Sequence, residues 1–385
     1  MKRLLITMPW GIGDAISVGL SAVDQIRRND PAGQVEIDVL CNQLQTEILA
    51  ADPRIHRLIE VDRRLFPSNE AGTLKRSIFL SPEAVKLVHF LRTQGYAAVL
   101  PFIFSPAFFY QLRLPIMFLS PGEVRQLIAR VRAFEDTPTR RLMRGIINKH
   151  FGKSISDGEG DADIPLYLYP EHVMQARQQI VHIKGLASVP PEQSRLLLVA
   201  PDTSSVVTRP PVSLLAEGIA GALKRDSSLV AAILPGYTDI NAAPDLWQAL
   251  SPAFPGRAIL LPAEPKFPLL ELAALIDQCD IFISGDTAVM HLAAAHKVVH
   301  GACEEPAPRN TVKIISLFGG TSPSLYGYSQ RAIILGRGRK EQAKIIPGIV
   351  KDLYSPDGKN LFDHIQPQQL TDAIVNPISY AKRIA

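Results

Sequence analysis

The chain has 385 residues, 46% hydrophobic and 20% charged, with a formal net charge of +4 at pH 7. This composition excludes a disordered, collagen-like or coiled-coil chain, and so small a charge excess gives no ground for a nucleic-acid partner. At roughly 100–200 residues per domain, two domains are expected, each long enough to bury its own core.

The opening MKRLLITMPWGIGD has two basic residues and a short apolar run, which Pro9, Trp10 and Asp14 interrupt before a secretory core is complete. It therefore reads as a first strand over 4–6. In AISVGLSAVDQIRR, the spacing of Ile16, Leu20, Val23 and Ile26 predicts one buried helix face, and a second strand follows over 35–40. LIEVD (58–62) and AAVL (97–100) continue the alternation, which implies a mostly parallel sheet covered on both sides. The apolar run 97–121 is cut by prolines and by Gln111 and Arg113, too broken for the roughly 20 apolar residues of a membrane helix. From Glu123 to Lys153 eight lysines and arginines face three acids. That stretch is either a solvated helix face or a platform for a phosphorylated acceptor or the anionic inner leaflet.

YPEHVMQARQQIVHIKG reads as a helix and ASVPPEQS as a proline-bearing connector, which places a domain boundary between Tyr169 and Pro191, with domains over 1–180 and 190–385. The second half repeats the rhythm, with strands at 195–201, 229–236, 258–263, 280–284 and 313–320 and helices near 212–224, 269–279 and from about 287. Two doubly wound α/β domains are the expectation. Cys41, Cys279 and Cys303 are widely spaced, without a CxxC or ligand cluster, as in a cytoplasmic protein with reduced thiols and no structural metal.

Two short motifs carry chemistry. GIGDA, with Gly11, Gly13 and Asp14, lies between the first strand and its helix, where glycines admit a ligand to the backbone and helix amides favour negative charge. The third glycine of a dinucleotide fingerprint is replaced by Ile16, which disfavours hydride transfer. The same residues also read as a tight turn with Asp14 as a plain cap. In FISGDTAVMH, Asp286 and Thr287 open a helix and His291 follows four residues after Thr287 on the same face. Amides and the Thr287 hydroxyl can hold a phosphate to which His291 adds a donor. Alternatively Asp286 and Thr287 cap the helix while His291 packs on the sheet.

The order GIGD, APDTSSVVTRPP, ILPGYTD, FISGDTAVMHLAAA, ISLFGGTSP and HIQPQQLTDAI resembles glycosyltransferase family nine, the bacterial ADP-heptose:lipopolysaccharide heptosyltransferases. The resemblance covers both halves and is most specific in DTxxxHLAAA and LFGxTxP. It implies the GT-B fold: two Rossmann-like domains, the acceptor in the first, the nucleotide sugar in the second, and reaction in the cleft between them. It implies Asp14 as general base, and Asp286, Thr287, the Ala288 amide and His291 around the diphosphate, with Thr203 and Ser204 facing the same phosphates. Asp239 stands where the family has a carboxylate for the ribose, and Phe267 where an apolar side chain flanks the base.

This chain also departs from the family. The usual loop lysine falls on Thr208, leaving Arg209 as the nearest cation, and Ala288 replaces a glycine. Residues 296–310 are longer than the usual link, a C-terminal cysteine cluster is absent, and GYAAVLPF lacks an acidic residue. The implied activity is inverting, metal-independent sugar transfer without a cofactor. ADP-heptose would be the co-substrate, with a glycan, lipid-linked or protein acceptor, in the cytoplasm or at the periphery of the inner membrane through 125–153. A closing helix returning to the first domain is part of that expectation. A non-catalytic sugar-nucleotide-binding or assembly protein and an NAD-dependent dehydrogenase are the rival readings.

Overall fold

The computed structural model describes residues 2–8, 11–62, 65, 81–102, 106–129, 138–156, 164–203, 208–236, 242–301, 309–319, 321, 323, 327–328, 331–336 and 361–378. The chain divides into two compact units, the first comprising Met1–Arg130, Pro138–Glu159 and Ile164–Tyr167, the second Val131–Thr137, Gly160–Asp163 and Leu168–Ala385.

The first unit runs β1 (Lys2–Thr7), α1 (Ile12–Asp14), a π-helical stretch Ala15–Leu20, α2 (Ser21–Asn29), β2 (Val35–Cys41), α3 (Gln43–Ala50), β3 (Arg57–Glu60), α4 (Pro82–Arg92), β4 (Ala98–Pro101), α5 (Pro106–Leu112), α6 (Pro121–Ala129) and α7 (Pro138–His150). Its strands pair in parallel in the order β3-β2-β1-β4. Leu4, Leu5 and Ile6 are all buried, the unbroken apolar run of a strand covered on both faces. Strand order reverses beside β1, so the segment after it, Gly11–Asp14, occupies the kind of crevice in which doubly wound sheets bind ligands.

The basic stretch is not one solvated face. α7 packs on α2, where Gln25 Nε2 donates to Asn148 Oδ1 at 2.7 Å. Arg140, Arg141 and Arg144 are buried, whereas Lys149 is on the surface and pairs with Glu123 at 2.8 Å. A charge count treats the four cations of α7 alike, but the helix turns Arg140, Arg141 and Arg144 inward and leaves Lys149 outside.

After the short strand β5 (Pro165–Leu168), the second unit continues with α8 (Pro170–Gly185), β6 (Arg195–Ala200), α9 (Val212–Arg225), β7 (Leu229–Ile233), α10 (Ala242–Leu250), β8 (Ala258–Leu260), α11 (Leu269–Gln278), β9 (Ile281–Gly285), α12 (Ala288–Ala294), β10 (His296–Val299), β11 (Lys313–Leu317), β12 (Ala332–Leu335) and α13 (Pro367–Val375). Six strands form a parallel sheet in the order β12-β11-β9-β6-β7-β8. Leu197, Val199, Ile281, Ile283 and Ile315 line its core against Leu215 and Ile219 of α9.

The closing helix α13 packs over Pro367–Val375 on α9. Gly218 and Gly221 open that contact, since a methyl group on either would overlap Leu370 or Thr371. Thr371 Oγ1 donates to the Gly218 carbonyl at 2.9 Å.

The long link after α12 begins with β10, a strand not foreseen in the sequence, and buries Lys297. Cys41 and Cys279 are buried free thiols, and burial pushes Cys41 up to about 11, while Cys303 lies outside the described residues. Among the described residues, no helix is long and apolar enough to cross a membrane and no group of His, Cys, Asp and Glu is arranged to hold a metal ion.

Candidate functional site

In the second sheet the strand order reverses between β6 and β9: β7 and β8 lie beyond β6, and β11 and β12 lie beyond β9. The segments leaving the carboxyl ends of those two strands therefore flank the switch point where open parallel sheets place their ligands. Asp202, Thr203 and Arg209 come from one of them, and Asp286, Thr287 and His291 from the other.

β9 is buried through Gly285. There the chain passes against the Thr208 carbonyl and Pro210, a contact that leaves no room for a side chain. Thr287 is extended and caps α12, its Oγ1 accepting from the Val289 amide at 3.0 Å. That bond uses the oxygen as acceptor, and the hydroxyl keeps its own hydrogen to donate. α12 has only 7 residues, so its dipole is short and an anion beside it depends mainly on side-chain donors. Ala288 is its first residue.

His291 is 5% exposed and sits between two groups. Its Nδ1 lies 2.7 Å from the Tyr328 hydroxyl and its Nε2 lies 3.9 Å from Asp286 Oδ1. The Tyr328 ring meets the imidazole edge to face, with centroids 5.5 Å apart.

Across the switch point Asp202 is buried, its carboxylate accepting from the amides of Gly236 at 2.8 Å and Ala242 at 3.1 Å. Burial raises its pKa above the ordinary carboxylate value, against the opposing pull of these amides and of Arg209. Asp202 thus ties the turn after β7 to the loop after β6. Thr208 Oγ1 donates to Thr203 Oγ1 at 3.1 Å, and Arg209 Nη2 donates to the Thr203 carbonyl at 3.3 Å. The position expected for a lysine is therefore spent on holding Thr203. Arg209 brings the cation, with its Nε buried and lacking a hydrogen-bond partner among the described residues.

Phe267 is half-buried just before α11. Ser204 and Asp239 lie outside the described residues. In the first unit Gly11 caps α1 and Gly13 lies within it. Asp14 is the third residue of α1, not its cap; it is exposed and its Oδ2 accepts from the Gly11 amide at 3.2 Å.

Sequence reasoning missed Asp202, Tyr328 and Thr321, whose Oγ1 is buried without a hydrogen-bond partner among the described residues. Asp202 and Thr321 sit inside quoted motifs beside residues that drew the attention. Tyr328 carried no local signal, because its partner is 37 positions away.

Residues 258–346 match the family model of glycosyltransferase family 9 (heptosyltransferase), a segment that includes Asp286, Thr287, His291 and Tyr328. The fold is that of the GT-B heptosyltransferases. A family 9 glycosyl transferase from Veillonella parvula DSM 2008 is similar over 99% of this chain and 98% of its own, with a TM-score of 0.65 and 17% identity. E. coli ADP-heptose lps heptosyltransferase II covers 100% of this chain and 99% of its own at 0.62 and 19%. The E. coli heptosyltransferase WaaC with ADP covers 91% and 98% at 0.55 and 18%. No curated protein matches the chain in sequence. The family segment supports a glycosyltransferase.

Proposed function

We propose that the chain is an inverting, metal-independent glycosyltransferase that takes a sugar from a nucleoside diphosphate, with heptose from ADP-heptose the favoured donor. The observation that carries this reading is the convergence of Arg209, Thr287 and His291 on the switch point of the second sheet, inside or facing the segment that matches the family. Three donors on two strand ends suit a group with several negatively charged oxygens better than a neutral ligand. The preference for ADP rests on the E. coli neighbours, whose descriptions carry ADP-heptose and ADP.

In the proposed mechanism Asp14 takes the proton of an acceptor hydroxyl, whose oxygen attacks the anomeric carbon opposite the leaving group. The bond from that carbon to the diphosphate breaks and its electron pair departs with the phosphate oxygen. Arg209, Thr287 and His291 stabilise the charge as it develops. The exposure of Asp14 suits a base that must meet an incoming substrate, and its bond to Gly11 fixes the carboxylate without burying it. The acceptor in this reading is a lipopolysaccharide-type glycan, another glycan or a protein.

Thermal-shift measurements with ADP, UDP, GDP, dTDP and NAD test the reading, since a ligand at 100 times its Kd stabilises by about 2.7 kcal/mol. ADP is expected to give the largest shift. Stabilisation by NAD alone overturns the transferase assignment.

A further inference from the structure

We infer that Tyr328 is a positioning residue that holds His291 with its proton on Nε2, so that the imidazole presents an N–H donor to the donor substrate's diphosphate. The inference rests on the diphosphate reading proposed above and adds to it the group that prepares His291.

A neutral imidazole has one N–H and one lone pair, and what surrounds the two nitrogens decides which is which. His291 Nδ1 faces the Tyr328 hydroxyl at 2.7 Å, and Nε2 faces Asp286 Oδ1 at 3.9 Å. With the proton on Nδ1, the Nε2 lone pair would point toward a carboxylate oxygen in a site that is 7% exposed on the histidine side and 10% on the aspartate side. That arrangement is repulsive in poorly solvated surroundings. With the phenol donating to Nδ1, Nε2 carries the hydrogen and faces the carboxylate favourably. A phosphate oxygen arriving there then meets a donor rather than a lone pair.

The backbone that carries the phenol is anchored. The amides of Arg331 and Ala332 donate to the Tyr328 carbonyl at 3.0 and 2.8 Å. Gly327 packs on the Pro323 carbonyl so closely that a methyl group would overlap it, and its amide donates to that same carbonyl at 2.8 Å. Tyr328 is itself 4% exposed. Both rings are buried and the backbone that carries the phenol is anchored, so the contact between hydroxyl and Nδ1 is kept as the site fills.

The test combines long-range 1H–15N spectra of 15N-histidine-labelled protein at pH 8 with calorimetric titration of ADP. His291→Ala identifies the signal among the 9 histidines. The wild type is expected to show the Nε2–H pattern. Tyr328→Phe keeps the edge-to-face ring contact and removes only the hydroxyl, so it should shift the His291 pattern and weaken ADP binding about tenfold, the scale of one hydrogen bond. An Nδ1–H or imidazolium pattern in the wild type overturns the inference whether or not the Phe variant folds. So does an unchanged spectrum and ADP affinity in Tyr328→Phe when His291→Ala weakens binding. If His291→Ala itself leaves ADP affinity intact, the diphosphate reading fails first.

Discussion

Gly285 lies so close to the Thr208 carbonyl that a single added methyl would overlap the oxygen. This contact locks the loop carrying Arg209 against the strand that delivers Asp286 and Thr287. Gly285→Ala should push residues 208–210 away, costing roughly 1–3 kcal/mol as other overpacked cores do. Urea unfolding should show the loss, and ADP titration should show weaker binding. A variant unchanged in both would mean that the loop yields freely and does not organise the site.

Thr287→Ala removes a cap and, on the proposed reading, a donor to the diphosphate. The cap bond to Val289 contributes about 1 kcal/mol to stability, and a bond to a charged diphosphate about 1.5–3 kcal/mol. Thr287→Ser keeps the hydroxyl and should restore both unfolding midpoint and ADP affinity. Restoration of stability without recovery of affinity would leave Thr287 a cap only.

Arg209→Ala tests whether arginine takes the place of the family's loop lysine. ADP binding should weaken while adenosine binding changes little, because the guanidinium answers phosphate charge. Equal losses for the two ligands would assign Arg209 to holding Thr203, to whose carbonyl it already donates.

Asp14→Asn should leave ADP affinity nearly unchanged and cut single-turnover transfer by roughly 10²–10⁴-fold, the usual contribution of a positioned base. The amide oxygen of Asn can still accept from the Gly11 amide, so the start of α1 survives. Full transfer in this variant would remove Asp14 from the mechanism.

Lys297 supplies a pH prediction. Burial pulls its ammonium from the ordinary 10.5 down to about 7, with Asp277 opposing and Arg331 adding to the fall, and Nζ donates to the Ala293 carbonyl at 2.7 Å. Between those two values the unfolded chain binds the proton and the folded chain does not, so this lysine makes stability rise with pH across that window. Comparing urea midpoints at pH 7 and pH 9, the wild type should gain on Lys297→Met. A constant difference between the two proteins would show that Lys297 keeps its proton in the fold.

Much of the architecture was legible because its signals are local. Apolar runs such as LLLVA and IFISG announced strands buried on both faces, and Thr287 announced a helix start. What escaped depends on side-chain pairings, near or far in sequence, that no local pattern announces. The phenol of Tyr328 acquires meaning only beside His291, and Thr208 reads as a failed lysine until its bond to Thr203 is seen. β10 was hidden in a segment set apart by its length, and the inward turn of Arg140, Arg141 and Arg144 was hidden by a count of charge.

The glycines of α9 have a consequence for the order in which the second unit is built. Their facing partners arrive late: Thr371 reaches the Gly218 carbonyl across 153 positions. While the chain is being synthesised, this groove has no occupant until the segment around Leu370 has left the ribosome, and the apolar walls beside it remain wet. Contacts of such long sequence separation come late and leave sticky surface exposed in the meantime. Between the emergence of α9 and that of α13 this groove is therefore open to capture by a chaperone or by a neighbouring copy.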